Sequence, residues 1–167
     1  GDTGMLHTLS GREKWYLAAH AVLFTLFIIP FLLHSVIPLS DYPNHLARAY
    51  VMSDPAQLAG VYDVKFDIAP YFADMLPQLF IGAFGIYLAG KINFVIGMLS
   101  IVIGVLLINR HVCGKITLPT FFVYMFLYNL GTAYGFVNYN LAMGIALISI
   151  WGWLKFPQFT HNWLTVT

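Results

Sequence analysis

The fold is decided by residues 15–37, which read WYLAAHAVLFTLFIIPFLLHSVI. This run is 23 residues long and contains no Asp, Glu, Lys or Arg. At about 1.5 Å per residue, a helix of this length covers the ~30 Å hydrocarbon core of a bilayer. Trp15 and Tyr16 lie at its start, where aromatic side chains anchor a helix in the membrane interface. Residues 15–37 therefore predict a membrane-spanning helix.

The composition of the whole chain agrees with this interpretation. It is 59% hydrophobic and only 9% charged, whereas a soluble domain carries about 25% charged residues. The chain is predicted to be an all-α integral membrane protein with about five transmembrane helices in a single domain over residues 1–167. No basic cluster indicates a nucleic-acid partner, and membrane lipids are the expected surroundings. Four further apolar runs predict the remaining spans: residues 68–90, 92–109, 116–131 and 134–155.

Residues 38–67 form the one long polar segment, which we interpret as an outer loop. A helix from about Asn44 to Ser53 is predicted to lie along the membrane surface within this loop. Arg12 and Lys14 precede the first span, which places the N-terminus in the cytoplasm. Lys91 marks a short turn between the second and third spans. With five spans, the later basic residues fall outside, so the distribution of positive charge does not confirm this topology.

The densest polar cluster is the run SDYPNHLAR at residues 40–48. Its carboxylate, imidazole and guanidinium can bind a divalent metal ion, a phosphate or a sugar hydroxyl. We interpret Asp41 and His45 as candidate catalytic residues, with Asp41 also a candidate metal ligand. Asn44 and Arg48 are candidate substrate-binding residues. The alternative is a capped interfacial helix, in which Asp41 or Asn44 caps the first turn and Arg48 reaches lipid headgroups.

Asp74 is a third catalytic candidate. It lies about two turns into an apolar run, and an ionisable group inside a membrane indicates a functional site. If this region is helical, Asp63, Asp67 and Asp74 share one face. The alternative is that the helix begins near Met75, with Pro77 in its first turn, and that Asp74 lies at the interface.

Polar and aromatic residues also surround the predicted turn between the last two spans. We take Asn138 as a candidate substrate-binding residue in a lipid or sugar groove, and hydrogen bonding between helices is the alternative. The patch contains Tyr128, Asn129, Tyr134, Asn138 and Asn140.

His20 and His34 lie 14 residues apart on one face of the first span. That spacing is typical of helices that ligate two haems, but the other histidines lie in polar segments without a matching spacing. We therefore expect no haem and interpret both residues as core or interfacial histidines.

Three runs resemble a group of bacterial multi-spanning membrane proteins: PLSDYPNHLAR at 38–48, IAPYFAD at 68–74 and GFVNYNLAMG at 135–144. That group is similar in layout to the GT-C glycosyltransferases, which have a cytoplasmic N-terminus and a long outer loop with an acidic motif. The resemblance implies a multi-pass protein of the bacterial inner membrane. It also implies transfer of a sugar from a polyprenyl-phosphate donor to an acceptor at the outer face. Asp41 then takes the place of the loop acid, which contacts the acceptor or a metal.

The chain departs from the GT-C pattern in two ways. Asp41 is followed by Tyr42 instead of a second acid, and GT-C enzymes have more helices than the five predicted here. The resemblance therefore implies the N-terminal portion of a longer protein.

Two other functions are open. The chain is alternatively a small non-catalytic membrane subunit that packs against a larger membrane complex. Its interfaces would then be the small residues of the third predicted helix and the aromatic fourth helix. A piece of a transporter or channel is the third option, although the scarcity of charges within the predicted spans argues against it.

Overall fold

A computed structural model describes residues 9–54, 56, 61 and 74–156. Within these residues the chain forms only helices and turns, which confirms the all-α prediction. In chain order the elements are α1 (Gly11–Leu32), α2 (Tyr42–Ser53), α3 (Gln78–Cys113), a 3-10 helix (Leu118–Phe122), α4 (Val123–Leu127), α5 (Leu130–Tyr134) and α6 (Val137–Lys155). Three of them, α1, α3 and α6, are long and apolar enough to cross a bilayer. The prediction of about five spans is thus confirmed for three helices in the described part of the chain.

Hydrogen bonds from side chains fix both ends of α1. At its start, Ser10 Oγ accepts from Glu13 N at 3.2 Å, and the Glu13 carboxylate accepts from Ser10 N at 2.9 Å. This capping box satisfies two backbone donors that have no partner within the helix. At its end, the Lys91 ammonium donates to the Leu32 carbonyl at 2.9 Å. The helix ends at Leu32, five residues before the predicted residue 37.

The predicted turn at Lys91 is wrong, because α3 continues through it. In the described residues, the predicted second and third spans fall on α3, which consists of two helical stretches joined by a kink at Gly85, with φ 74° and ψ 168°. Glycine adopts this positive φ without the steric cost that a Cβ brings. Lys91 is accommodated inside the helix because its ammonium reaches the end of α1.

Small residues bring α3 and α6 into close contact. A Cβ on Gly97 would lie 3.5 Å from Leu141 N, and one on Gly104 would lie 2.5 Å from the Leu147 side chain. Residue numbers rise together along both helices, so the two helices run parallel. Gly144 of α6 lies directly against Ser100 of α3. The small-residue face of α3 is therefore already occupied by another helix of the same chain.

The predicted fourth span, residues 116–131, is not one helix. It consists of the 3-10 helix, α4 and the start of α5, which together follow α1 along its length. Ile116 N donates to Glu13 Oε1 at 3.2 Å, and the Tyr128 ring lies 6.4 Å from that of Phe31. The 18 residues from Glu13 to Phe31 rise ~27 Å, close to the bilayer core thickness. We call residues 118–134 the broken span.

These contacts define two ends of the bundle. The N-terminal end holds the start of α1, the end of α3 and the start of the broken span. The loop end holds α2, the starts of α3 and α6, and the end of the broken span.

Candidate functional site

Helix α2 carries most of the candidate site residues. It begins at Tyr42, two residues before the predicted start at Asn44, with Pro43 in its first turn, and it ends at the predicted Ser53 with Asp54 as the C-cap. Asp41 is the N-cap, but its side chain makes no capping bond. Its backbone carbonyl accepts from Asn44 N and His45 N at 3.1 and 3.3 Å. The Asp41 carboxylate is thus left available for other groups.

His45 joins two carboxylates. Its Nδ1 lies 2.5 Å from Asp74 Oδ1, and its Nε2 lies 3.4 Å from Asp41 Oδ2. The imidazole and Asp74 are both buried, with side chains 7% and 1% exposed. A buried carboxylate that accepts from Nδ1–H fixes the ring orientation and directs Nε2 toward the second partner.

Arg48 completes a network of four charged or titratable groups. Its Nε donates to Asp74 Oδ2 at 2.8 Å, so both oxygens of Asp74 have a partner. Arg48 Nη2 also lies 2.9 Å from His45 Nδ1, which would require an unprotonated Nδ1. We favour donation from Nδ1 to Asp74, because that contact is shorter and its acceptor is charged. Two carboxylates then face one guanidinium and one imidazole.

The network is closed on one side and open on the other. Asp41 and Arg48 have 31% and 38% of their side chains exposed, whereas His45 and Asp74 lie behind them. Asn44 Nδ2 donates to Asp41 Oδ1 at 2.7 Å, which fixes the carboxylate with Oδ2 toward His45. A ligand can therefore reach Asp41 and Arg48 first.

Asp74 lies outside α3, which begins at Gln78 with Pro77 as its N-cap. The residues just before Asp74 lie outside the described part of the chain, so the interpretation of Asp74 as an acid within a transmembrane helix stays a prediction. In the alternative the helix begins near Met75, three residues ahead of the Gln78 at which α3 begins. Contacts with His45 and Arg48 of α2 bury the Asp74 carboxylate there. The predicted face shared with Asp63 and Asp67 lies outside the described residues.

A close approach between two backbones fixes the position of Asp41, and the sequence analysis did not identify it. Asp41 N donates to the Tyr134 carbonyl at 2.7 Å. Gly135 follows with φ 83°, and a Cβ there would lie 2.9 Å from Tyr42 N and 3.1 Å from Asp41 N. Only glycine fits both this conformation and this contact. The end of the broken span thereby supports the Asp41 loop.

Tyr42 packs behind the network. Its ring is 2% exposed and lies edge-on to Phe94 of α3. Its hydroxyl has no hydrogen-bond partner within the described residues. Burial raises the pKa of the Tyr42 hydroxyl, which therefore stays neutral.

The asparagines predicted around the last turn, Asn129, Asn138 and Asn140, have different surroundings. Asn129 caps α5 by accepting from Thr132 N at 3.0 Å, and Thr132 Oγ1 donates to Asn140 Oδ1 at 3.3 Å. The Asn140 contact joins α5 to α6, as the alternative interpretation of bonding between helices held, whereas Asn129 caps the helix that directly follows it. Asn138 lies in the first turn of α6, at the loop end. Direct contacts bring together Asp41, Asn44, His45, Arg48 and Asp74. Asn138 lies at the same end of the bundle as this network.

The two histidines of the first predicted span lie outside this network. His20 is buried between α1 and the broken span, with Nε2 2.9 Å from Thr120 Oγ1 and Nδ1 3.1 Å from the Tyr124 hydroxyl. It is a core histidine, and His34 is exposed near the end of α1.

Among the described residues, no group of three His, Cys, Asp or Glu side chains is placed to hold a metal ion. Metal binding by Asp41 stays a prediction.

Comparison with protein families, with curated proteins and with solved structures found no match to this chain. Over the residues that the structure describes, the fold is all-α, with three helices long and apolar enough to cross a membrane.

Proposed function

We propose that this protein is a GT-C-like glycosyltransferase of the bacterial inner membrane, or the N-terminal portion of one. It would move a sugar from a polyprenyl-phosphate donor to an acceptor at the outer face. The network of Asp41, His45, Arg48 and Asp74 carries this proposal. It places an accessible carboxylate and an accessible guanidinium side by side at one end of a membrane bundle.

The geometry supports a distinct role for each group. Asp41 is the general base, which takes the proton as the acceptor oxygen bonds to the anomeric carbon. The bond from that carbon to the phosphate oxygen breaks, and polyprenyl phosphate leaves. A guanidinium has five N–H donors, and Nε alone bonds Asp74, so Arg48 retains donors for the phosphate.

The remaining three residues support Asp41. His45 is close enough to stabilise the negative charge of Asp41 or to accept its proton. The burial of Asp74 favours a positioning residue that holds His45 and Arg48. Asn44 is likewise better explained as a residue that orients Asp41 than as one that binds substrate. Asn138 stays a candidate for the sugar, and a divalent metal ion on Asp41 stays a possible cofactor.

The distribution of basic residues supports a cytoplasmic N-terminus. With α3 as one span and the broken span returning beside α1, the described part of the chain crosses four times, and α6 ends where α1 begins. Among the described residues, two basic side chains lie at the loop end, where Arg48 pairs with Asp74 and Lys91 caps α1, while Lys65 lies outside the described part. The N-terminal end then holds five: Arg12, Lys14, Arg110, Lys115 and Lys155. Positive charge concentrates on the cytoplasmic side of membrane proteins.

A non-catalytic subunit of a larger complex is the second candidate. Asp74 has both oxygens satisfied and is almost fully buried, which is also the pattern of a structural ion-pair network. In that case the network holds α2 against α3, and no transfer depends on Asp41.

Replacement of one carboxylate distinguishes the two functions. Membranes that contain the native full-length protein are incubated with a panel of polyprenyl-phosphate sugars, and released polyprenyl phosphate is measured. Asp41→Asn keeps the shape of the side chain but removes the base, so we expect transfer to fall by about 10²–10⁴-fold. Asp54→Asn, on an exposed carboxylate after α2, is the matched control and retains the rate. Full activity of Asp41→Asn in a folded protein would rule out the catalytic role, and a partner that co-purifies at fixed stoichiometry would then favour the subunit.

A further inference from the structure

A buried carboxylate joins three segments at the N-terminal end of the bundle. The Glu13 carboxylate accepts from Ser10 N at 2.9 Å and from Ile116 N at 3.2 Å. Arg110 Nε, near the end of α3, lies 3.6 Å from Glu13 Oε1. Glu13 therefore holds together the start of α1, the end of α3 and the loop that leads into the 3-10 helix.

Three more cations flank the residues that Glu13 joins. Arg12 and Lys14 are its neighbours on α1, and Lys115 directly precedes Ile116. All three side chains are exposed, and among the described residues none of them pairs with a carboxylate. We call the four cationic side chains around Glu13 the basic junction: Arg12, Lys14, Arg110 and Lys115.

The described part of the chain does not balance the charge of the basic junction. Both oxygens of Glu13 already accept from backbone N–H groups. The other described carboxylates belong to α2 or to the segment ahead of α3, at the opposite end of the bundle. Four cations therefore surround one carboxylate, which leaves an excess of three positive charges. A local excess of this kind attracts anions.

Large apolar side chains lie on the membrane side of the basic junction. Trp15 follows Lys14 on α1 and is 78% exposed, and Leu118, three residues beyond Lys115, is 65% exposed. Helix α1 is long and apolar enough to cross a bilayer, and a Trp near the end of such a helix lies at the level of the headgroups. The junction thus offers cations at headgroup level and apolar contacts next to them.

We propose that the basic junction binds an anionic phospholipid. Its Lys and Arg side chains donate charge-assisted hydrogen bonds to the phosphate oxygens, and the acyl chains lie along Trp15 and Leu118. A soluble phosphate would satisfy the cations but leave these apolar side chains exposed, whereas a lipid covers both. Anionic lipids are also concentrated in the cytoplasmic leaflet. This proposal does not depend on glycosyl transfer, since the Asp41 network lies at the loop end.

Native mass spectrometry of the full-length protein tests the proposal. The protein is released from nanodiscs of equal parts phosphatidylglycerol and phosphatidylcholine with the same acyl chains, and the retained lipids of each kind are counted. We expect phosphatidylglycerol to be retained in excess. Arg12→Gln, Lys14→Gln and Lys115→Gln should each lower the ratio of the two lipids by roughly two- to fivefold, and the triple variant should lower it most.

The matched control keeps every charge in place by combining Arg12→Lys, Lys14→Arg and Lys115→Arg, and it should keep the ratio of the unmodified protein. All three positions are exposed, so both triple variants should fold, which circular dichroism in detergent checks. An excess of glycerol phosphate, the soluble headgroup, should leave the retained lipid unchanged.

Three results would overturn the lipid site. An unchanged ratio in the triple Gln variant would show that the basic junction does not bind lipid in the full-length protein, as when an acidic protein segment covers it. An equal drop in the charge-retaining control would show that positive charge is not the cause. Loss of the preference in glycerol phosphate would show that the phosphate alone is bound.

Discussion

Asp74 illustrates how one residue organises the candidate site. It is nearly inaccessible to solvent and accepts from both His45 and Arg48, which are three residues apart on α2. A buried carboxylate is tolerated only when its charge is compensated by such donors. Asp74 therefore links the segment ahead of α3 to α2. It also fixes the orientation of α2, so that Asp41 and Arg48 lie on the accessible side of the network.

Removal of the Asp74 carboxylate should destabilise the protein. In Asp74→Ala, the His45 ring and the Arg48 guanidinium lose their shared acceptor. Arg48 regains some hydration, because 38% of its side chain is exposed, so we expect a loss of roughly 1.5–3 kcal/mol in the free energy of unfolding. Unfolding is followed by circular dichroism in detergent. His34→Ala, at an exposed side chain near the end of α1, should change stability by less than about 0.5 kcal/mol, and equal losses in both variants would contradict the role of Asp74.

At this scale the spacing in the sequence indicates which residues share one helix, but it does not indicate contacts between segments that are distant in sequence. Asp41, His45 and Arg48 recur at a helical spacing that is visible in the sequence, so their grouping on α2 was predictable. The contact of Asp74 with α2 depends on tertiary packing and was not. Gly135 carried no signal, since the need for glycine arises only where its turn approaches Asp41.

Among the elements, α3 shows why two of the predicted spans fall on a single long element in the described part of the chain. A lysine between two apolar runs is typical of a turn, but the Lys91 ammonium is satisfied by a carbonyl of α1, which is distant in sequence. The real interruption, at Gly85, lies within an apolar run and has no charge to mark it. The broken span is similarly hidden, because its apolar and aromatic composition resembles that of a continuous helix.

The packing of α3 against α6 gives a prediction for the elements. A Cβ on Gly144 would overlap Ser100, so Gly144→Ala must push the two helices apart. We expect a loss of about 1–3 kcal/mol in SDS-induced unfolding. The matched control is Gly152→Ala on the same helix, where a Cβ meets nothing within 4 Å. That variant should be neutral or gain up to about 1 kcal/mol.

A second substitution tests the cause of this loss. Ser100→Gly removes the atoms that the new methyl group meets, so the pair Ser100→Gly and Gly144→Ala should recover part of the stability lost in Gly144→Ala alone. Strictly additive losses would show that the contact between the two residues is not the cause.

For the whole molecule, the number of crossings decides which side of the membrane each end occupies. Five spans would place the segment after the third predicted helix outside. Four crossings instead place the end of α3 beside the start of α1, where the Glu13 carboxylate accepts from Ile116 N. The two topologies therefore assign Cys113, at the end of α3, to opposite sides.

Cys113 is a built-in probe of this difference, because it is the only cysteine in the chain and is exposed. We expect a membrane-impermeant maleimide to leave Cys113 unlabelled in intact spheroplasts and to label it in inside-out vesicles. The matched variant combines Tyr50→Cys with Cys113→Ser and places the only thiol on α2, at the loop end. It should label in spheroplasts and not in inside-out vesicles. Labelling of both thiols from the same side would contradict α3 as a single crossing, since the two positions would then not be separated by the membrane. Labelling of each thiol only from the side opposite to that expected would keep the four crossings but reverse their orientation, and the Asp41 network would then face the cytoplasm.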